Sequence, residues 1–351
     1  MNANAVQTER TDSQPVGAKP GELLADLGLP DVVAGNHVQD SKSESGTWLG
    51  ALPQDKRNAI LSLHQIDLRW NWVLLVHPAL WVLAATMMVC WPSTPVRLLG
   101  YVVIGSAIHA MATLMHEGIH GTLFRNRSLD RVVGFLMGAP ALFSFTAYKV
   151  AHLIHHRHNR TEKDPDEFTN YSRSRLMQSL LFYSWGIVGM LIYLFHIPAT
   201  ALTRGRPADR RSVIIEYLLL LGIYAGVFVV AARNGRVDLV VHLWILPMCV
   251  AILFGNLRGW AEHTMTRAGH PLTQSRTVTS NGVVSFMMCN LNYHLEHHLC
   301  PGIPWYNLPK LHTLLQPEYK EAGSFIYQSY LQFLWDAVRV GVHGIAPIPS
   351  H

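Results

Sequence analysis

The segment Trp70–Trp91 reads WNWVLLVHPALWVLAATMMVCW and holds no Asp, Glu, Lys or Arg. Three further runs behave alike. Arg97–Met115 is bare of charge after its first residue, Ile214–Ala232 holds one acid, Glu216, and Leu239–Leu257 holds none. Each is close to the ~20 apolar residues that a helix needs to cross a bilayer. A soluble domain carries about 25% charged residues, whereas this chain has 15% and a mean hydropathy of +0.16. The runs predict an all-α, multi-pass integral membrane protein.

The remaining composition narrows the function. Residues 1–45 are polar with scattered Gly, Pro and Ser, the composition of a disordered tail, and 46–345 is expected to form the membrane domain. The first ten residues lack an apolar signal-peptide core, so the first strong apolar run is expected to act as the anchor. Cys90, Cys249, Cys289 and Cys300 show no C-x-x-C spacing. Neither a disulfide framework nor a thiolate metal site is indicated. The net charge of +5 comes without a basic stripe interleaved with aromatics, so a nucleic-acid partner is not expected.

The 20 histidines are clustered. His116 and His120 stand in HEGIH, His152, His155 and His156 in HLIHH, and His294, His297 and His298 in HLEHH. Residues three and four apart on a helix share a face, with Cβ atoms ~5–6 Å apart. Each box therefore offers two or three imidazoles to one point. Imidazole suits Zn, Cu, Fe and Ni alike. Eight ligands exceed what one ion can take, so two ions are implied.

HEGIH taken alone fits H-E-x-x-H, a zinc peptidase pattern with Glu117 as general base. That reading needs one further ligand and leaves HLIHH and HLEHH without a purpose. Glu117 to His120 also fits the E-x-x-H of carboxylate di-iron bundles, which needs a second copy and two more glutamates. No second copy stands at a helical position. A histidine-rich metal transporter is a third reading, but transport sites lie near the bilayer midplane in broken helices. Here the boxes fall at the ends of apolar runs and in polar segments.

H-x-x-x-H, H-x-x-H-H and H-x-x-H-H, in this order between hydrophobic pairs, resemble the membrane fatty acid desaturase superfamily, which includes related hydroxylases, ketolases and alkane monooxygenases. The flanks HHRHNRTEKDPDEF and NLNYHLEHHLCPGIPWYNLPKLH resemble the family's segments after the second box and around the third. RGWAEH, at 258–263, resembles its segment carrying one more histidine ligand, here His263. The likeness covers about residues 65–320. It implies two iron ions held by the eight box histidines with His263. It further implies O2 as co-substrate, a lipid or acyl-carrier substrate, and an external electron donor, ferredoxin-like or cytochrome b5-like, with its reductase. Desaturation of an acyl chain is the expected reaction, with hydroxylation, ketolation or epoxidation at the same centre as the alternative. Where some acyl-CoA members hold a water-linked asparagine, this chain has Gly259, and Asn256 or Asn290 is a candidate replacement. No H-P-G-G haem segment is present in the sequence.

For the boxes to meet, they must lie on one side of the membrane. The stretch between His120 and His152 is then expected to lie in the interface or re-enter. Of the three apolar candidates between the second and third boxes, about 176–199, 214–232 and 239–257, one must not span. The first is the most polar, and it precedes TRGRPADRR. Short positive loops favour the cytoplasmic side. About four spanning helices plus interfacial helices are expected, under a histidine-rich di-iron cap. The site and both termini are expected to be cytoplasmic, and the membrane is the inner one if the cell is bacterial. Lys149, Arg157, Arg160 and the four arginines of 204–211 make a basic face suited to an acidic carrier. Asp164 and Asp166 are candidates to hold ligand imidazoles by their second N–H. His109, His158 and His312 are expected to be structural or to lie beside the metals.

Overall fold

The computed structural model describes residues 44–348, so the expected N-terminal tail and both termini lie outside the described residues. Helices dominate, and the described strands are one short parallel pair, Arg276–Val278 with Phe325–Tyr327. Five helical stretches are long and apolar enough to cross a bilayer: Gln54–Cys90, Thr94–His120, Arg175–Arg204, Pro207–Arg233 and Val237–His263. This is one more than the expected four. Their outward faces hold many exposed apolar side chains, among them Leu75, Leu98, Ile187, Leu218 and Leu253.

Thr94–His120 is the most buried of the five. It packs against both neighbours through small residues. A Cβ on Gly105 would stand 2.6 Å from the carbonyl oxygen of Pro247, which shows how closely this helix meets Val237–His263. Pro247 also explains the π-helical turn at Val241–Ile245 just before it. Proline lacks an N–H and its ring presses on the carbonyl four residues back. The freed carbonyl of Leu243 accepts instead from Trp81 Nε1 at 3.0 Å. The helix ends at its second histidine, because the next residue, Gly121, takes a left-handed φ of 71°.

The stretch after the first box forms two helices, Arg127–Ala141 and Phe145–His158, bent by 96°. A pair bent this way is either a broken span or a re-entrant loop. Glu216, the single acid of its apolar run, explains how the second of these helices is seated. Its carboxylate accepts from Ser144 Oγ at 2.6 Å, Thr146 N at 2.8 Å and Thr146 Oγ1 at 2.6 Å. An anion at a helix N-terminus meets unpaired N–H groups and the positive end of the helix dipole.

Arg175–Arg204 contains the stretch set aside as non-spanning. A helix of 30 residues reaches about 45 Å. Yet contacts all along it return to the loop after the second box. Gln178 Nε2 donates to Ser172 O at 2.8 Å, Tyr171 OH meets His196 Nε2 at 3.2 Å, and Arg204 donates to Lys163 O at 3.0 Å. Asn256 clamps its middle to the last long helix. The amide accepts from Met190 N at 2.5 Å and donates to Ile187 O at 2.8 Å.

Candidate metal centre

Four segments deliver histidines to one place. His116 and His120 come from the end of Thr94–His120, His152, His155 and His156 from Phe145–His158, His263 from the end of Val237–His263, and His294, His297 and His298 from His294–Leu299. Three of these helices present their C-terminal ends, where the backbone dipole favours positive charge.

The nitrogens fall into two groups. His116, His120, His152, His156 and His297 form one, and His155, His263 and His298 form the other, with all ligand atoms of a group within 4.8 Å of one another. His294 joins the second side, its Nε2 2.9 Å from that of His263. The Nε2–Nε2 separations are 2.9 Å for His120–His152, 2.9 Å for His152–His156, 3.1 Å for His156–His297 and 3.2 Å for His155–His263. Two ligands at right angles on one ion, with metal–nitrogen bonds of about 2.1 Å, stand about 3 Å apart. The spacing is that of a metal shell. All nine histidines read from the sequence are brought together here.

The chemistry of the donors fits a cation. Burial, followed by neighbouring imidazoles and other positive groups, pushes His152, His156, His294, His297 and His298 well below the ordinary histidine pKa. The rings are thus neutral, the form that binds metal. His116 Nε2 and His298 Nε2 are buried without a hydrogen-bond partner. Such orphaned ring nitrogens are costly in a protein interior, and a cation held in each group would satisfy them.

Carboxylates grip the outer edges. His155 Nδ1 lies 2.9 Å from Asp164 Oδ1 and 3.6 Å from Asp166 Oδ2. Burial would lower the His155 pKa, but the two aspartates outweigh it and raise it to about 9. Asp164 is itself held by Arg160 N and Asp166 N, each at 2.9 Å. Glu262 Oε1 lies 3.2 Å from His294 Nδ1 and accepts from Arg258 at 2.5 Å. Glu296 is fully buried and joins Thr277 to His312 Nδ1, the latter at 2.6 Å, so His312 buttresses the third box from below.

Glu117 does not face open space as a peptidase base would. Its Oε2 accepts from Thr122 Oγ1 at 2.7 Å and from Trp305 N at 3.0 Å, tying the first box to the segment after the third. Asn256 is spent on its helix clamp, and the Asn290 amide donates to Trp305 O at 3.2 Å. His109 lies outside both groups, edge-on to Phe254, and His158 is likewise outside them. Sequence reasoning passed over Arg258 and Arg276. Arg276 is fully buried and donates to Ala261 O and to Thr264 O, the latter at 3.0 Å, which fixes the helix end that carries His263. A basic residue buried in an otherwise apolar segment was the available signal for Arg258.

A cavity of about 70 Å³ adjoins the rings, with His116, His152, His155, His263 and His294 in its lining beside Asp164, Asp166 and Glu262. Phe168, Phe182, Trp185, Met190 and Trp260 are the large apolar residues of the same lining.

The comparisons agree with this geometry. The fatty acid desaturase family matches residues 89–330. A dihydrorhizobitoxine desaturase of Bradyrhizobium elkanii is 30% identical over 257 residues, covering 64% of this chain and 68% of that protein. An sn-1 oleoyl-lipid 12-desaturase of Arthrospira platensis is 23% identical over 362 residues, covering 97% of this chain and 93% of that protein. A human sphingolipid delta(4)-desaturase/C4-monooxygenase is 24% identical over 308 residues, covering 81% and 84%. With the three histidine boxes converging on one place beside His263, these matches show that the chain is an oxidoreductase belonging to the fatty acid desaturase family.

Proposed function

We propose that the chain is an O2-dependent desaturase of an acyl chain, working at two irons held by His116, His120, His152, His155, His156, His263, His294, His297 and His298. The observation that carries this reading is the pair of imidazole groups spaced as two metal shells. Iron bound there supplies the power to oxidise an unactivated C–H bond, which acid and base side chains lack.

The protein's part is positioning. Asp164 pairs with His155 Nδ1, which turns Nε2 toward His263 and the other ring nitrogens. Glu262 stands at the outer edge of His294 in the same way. The apolar wall of Phe168, Phe182 and Trp185 keeps water from the reacting carbons. The two electrons needed per turnover come from a ferredoxin-like or cytochrome b5-like donor. Lys163, Arg206, Arg210 and Arg211 give that donor a basic landing face, and charge complementarity chiefly raises the encounter rate.

The reading includes a topology. The contacts of Arg204 with Lys163 and of Tyr171 with His196 support a helix lying along the site side rather than crossing. Four helices then span, and the site faces the cytoplasm with the positive 204–211 loop.

The test is product analysis after expression with a matched reductase system. Loss of two hydrogens from an acyl chain is the expected result. Gain of one oxygen would give the hydroxylase reading instead, and no oxidised product from any acyl form would refute both.

A further inference from the structure

His263 is aimed differently from its neighbours. His155 has Asp164 at its Nδ1, and His294 has Glu262. Among the described residues no carboxylate pairs with His263, and its Nδ1 faces a backbone carbonyl, Gln274 O, across a long 3.4 Å. The aim of this ring therefore depends on the backbone that carries it.

That backbone is the last turn of Val237–His263. It ends without a glycine, and the next residue, Thr264, is extended at φ −84° and ψ 148°. The last carbonyls of a helix have no partner within it. Here side chains take several of them. Thr264 Oγ1 donates to Trp260 O, and Thr266 Oγ1 donates to His263 O at 2.9 Å. Arg276 takes two more, donating to Ala261 O and to Thr264 O, the latter at 3.0 Å. A guanidinium can do this because its N–H groups stand in a fixed planar fork, and its charge suits the negative end of the helix dipole.

Arg276 is held in turn. Its guanidinium carbon lies 4.7 Å from the ring centre of Tyr327, 5.1 Å from that of Phe333 and 5.8 Å from that of Phe325. Cations within about 6 Å of an aromatic centre are attracted to the ring. Tyr327 OH donates to the buried Asp336 Oδ2 at 2.6 Å. Phe333 and Asp336 belong to the helix Tyr330–Val340, and the family match ends where that helix begins, at residue 330. Phe333 also stands edge-on to Trp260, with ring centres 5.2 Å apart. The C-terminal helix thus braces the last turn both directly and through Arg276.

We infer that Arg276 is a positioning residue for the second metal, fixing the His263 ring through the helix end, and that Tyr327, Phe333 and Asp336 hold it there. This rests on the two-metal reading of the proposed function. The alternative is a structural arginine whose loss lowers stability and touches neither metal.

The test counts the irons retained by the full-length protein in detergent across a graded chelator series, beside its thermal unfolding. Arg276→Lys keeps the charge but cannot fork to two carbonyls. One iron should leave it at about 10- to 100-fold lower chelator than in wild type, the usual cost of losing a group that supports a metal ligand. The other iron, on the five-histidine side, should leave where it does in wild type. Tyr327→Phe keeps the ring over the guanidinium and removes the bond to Asp336. It should shift the same iron in the same direction by a smaller factor, and it stands in if Arg276→Lys does not fold. Ile104→Ala, a fully buried position on Thr94–His120 well before the first box, supplies the control for lost stability alone. It should melt below wild type and hold both irons as tightly. Arg276→Lys that melts lower yet holds both irons as wild type does overturns the inference. So does loss of the two irons together, or Tyr327→Phe with unshifted iron. Fewer than two irons in wild type would sink the two-metal reading itself, before any variant is compared.

Discussion

His155 Nδ1 and Asp164 Oδ1 stand 2.9 Å apart, in a buried pair that links the second histidine box to the loop following it. The aspartate is held in turn by two backbone N–H groups, so it cannot swing away without breaking the loop. It fixes which nitrogen of His155 carries the proton and where the other points.

Asp164→Asn tests that link. The amide keeps the size and loses the charge that orients the ring. Loss of such a partner typically weakens metal binding about 10- to 100-fold. We expect lowered iron content, restored in part by excess iron in the growth medium. Wild-type iron content and activity in this variant would show that Asp164 only shapes the loop.

Glu117 separates the metal readings. As a zinc peptidase base, its removal would cost ~10²–10⁴-fold in rate. Here it is engaged by Thr122 and Trp305 N. Glu117→Gln should keep iron and at least part of the activity. His116→Ala and His297→Ala remove members of the five-histidine group and should abolish oxidation and lower bound iron. Inactive Glu117→Gln beside fully active His297→Ala would turn HEGIH back into a zinc motif.

Much of this centre was legible in the sequence because spacing of three and four residues is a local property. His152, His155 and His156 share a helix face wherever that helix lies, and the same holds for HLEHH. The jobs of Glu216, Arg258 and Asn256 were not legible, because each depends on which distant segment comes to meet it. Glu216 reads as an odd acid in an apolar run until Ser144 and Thr146 are set against it. Arg175–Arg204 shows the same limit. Its length and apolarity suffice for a crossing, and only the contacts of Gln178, His196 and Arg204 with the loop after the second box speak for another course.

That course is open to labelling. With Cys90 and Cys249, the exposed native cysteines, replaced, Ala208→Cys should react with an impermeant thiol reagent only after the cells are opened. Ala208 lies at the start of Pro207–Arg233, next to the arginine-rich loop. Labelling in intact cells would break the four-span topology.

Packing makes its own forecast. Gly105→Ala would put a Cβ 2.6 Å from the Pro247 carbonyl oxygen and 2.6 Å from Val250 Cβ, and the two helices must part. Such overpacking costs about 1–3 kcal/mol. Gly222→Ala meets nothing within 4 Å and should be neutral, or stabilising by roughly 0.5–1 kcal/mol through helix propensity. Thermal unfolding in detergent should show Gly105→Ala melting well below wild type and Gly222→Ala at or above it. Equal melting of the two variants would contradict the close crossing.

The metal count bears most directly on the whole account. Five histidines gather on one side and four on the other, with nitrogen spacings of 2.9 to 3.2 Å among them. Elemental analysis of the purified protein, expressed in iron-replete medium and never exposed to chelator, should find two irons per chain and no stoichiometric zinc. One zinc per chain with no iron would contradict the account at its centre.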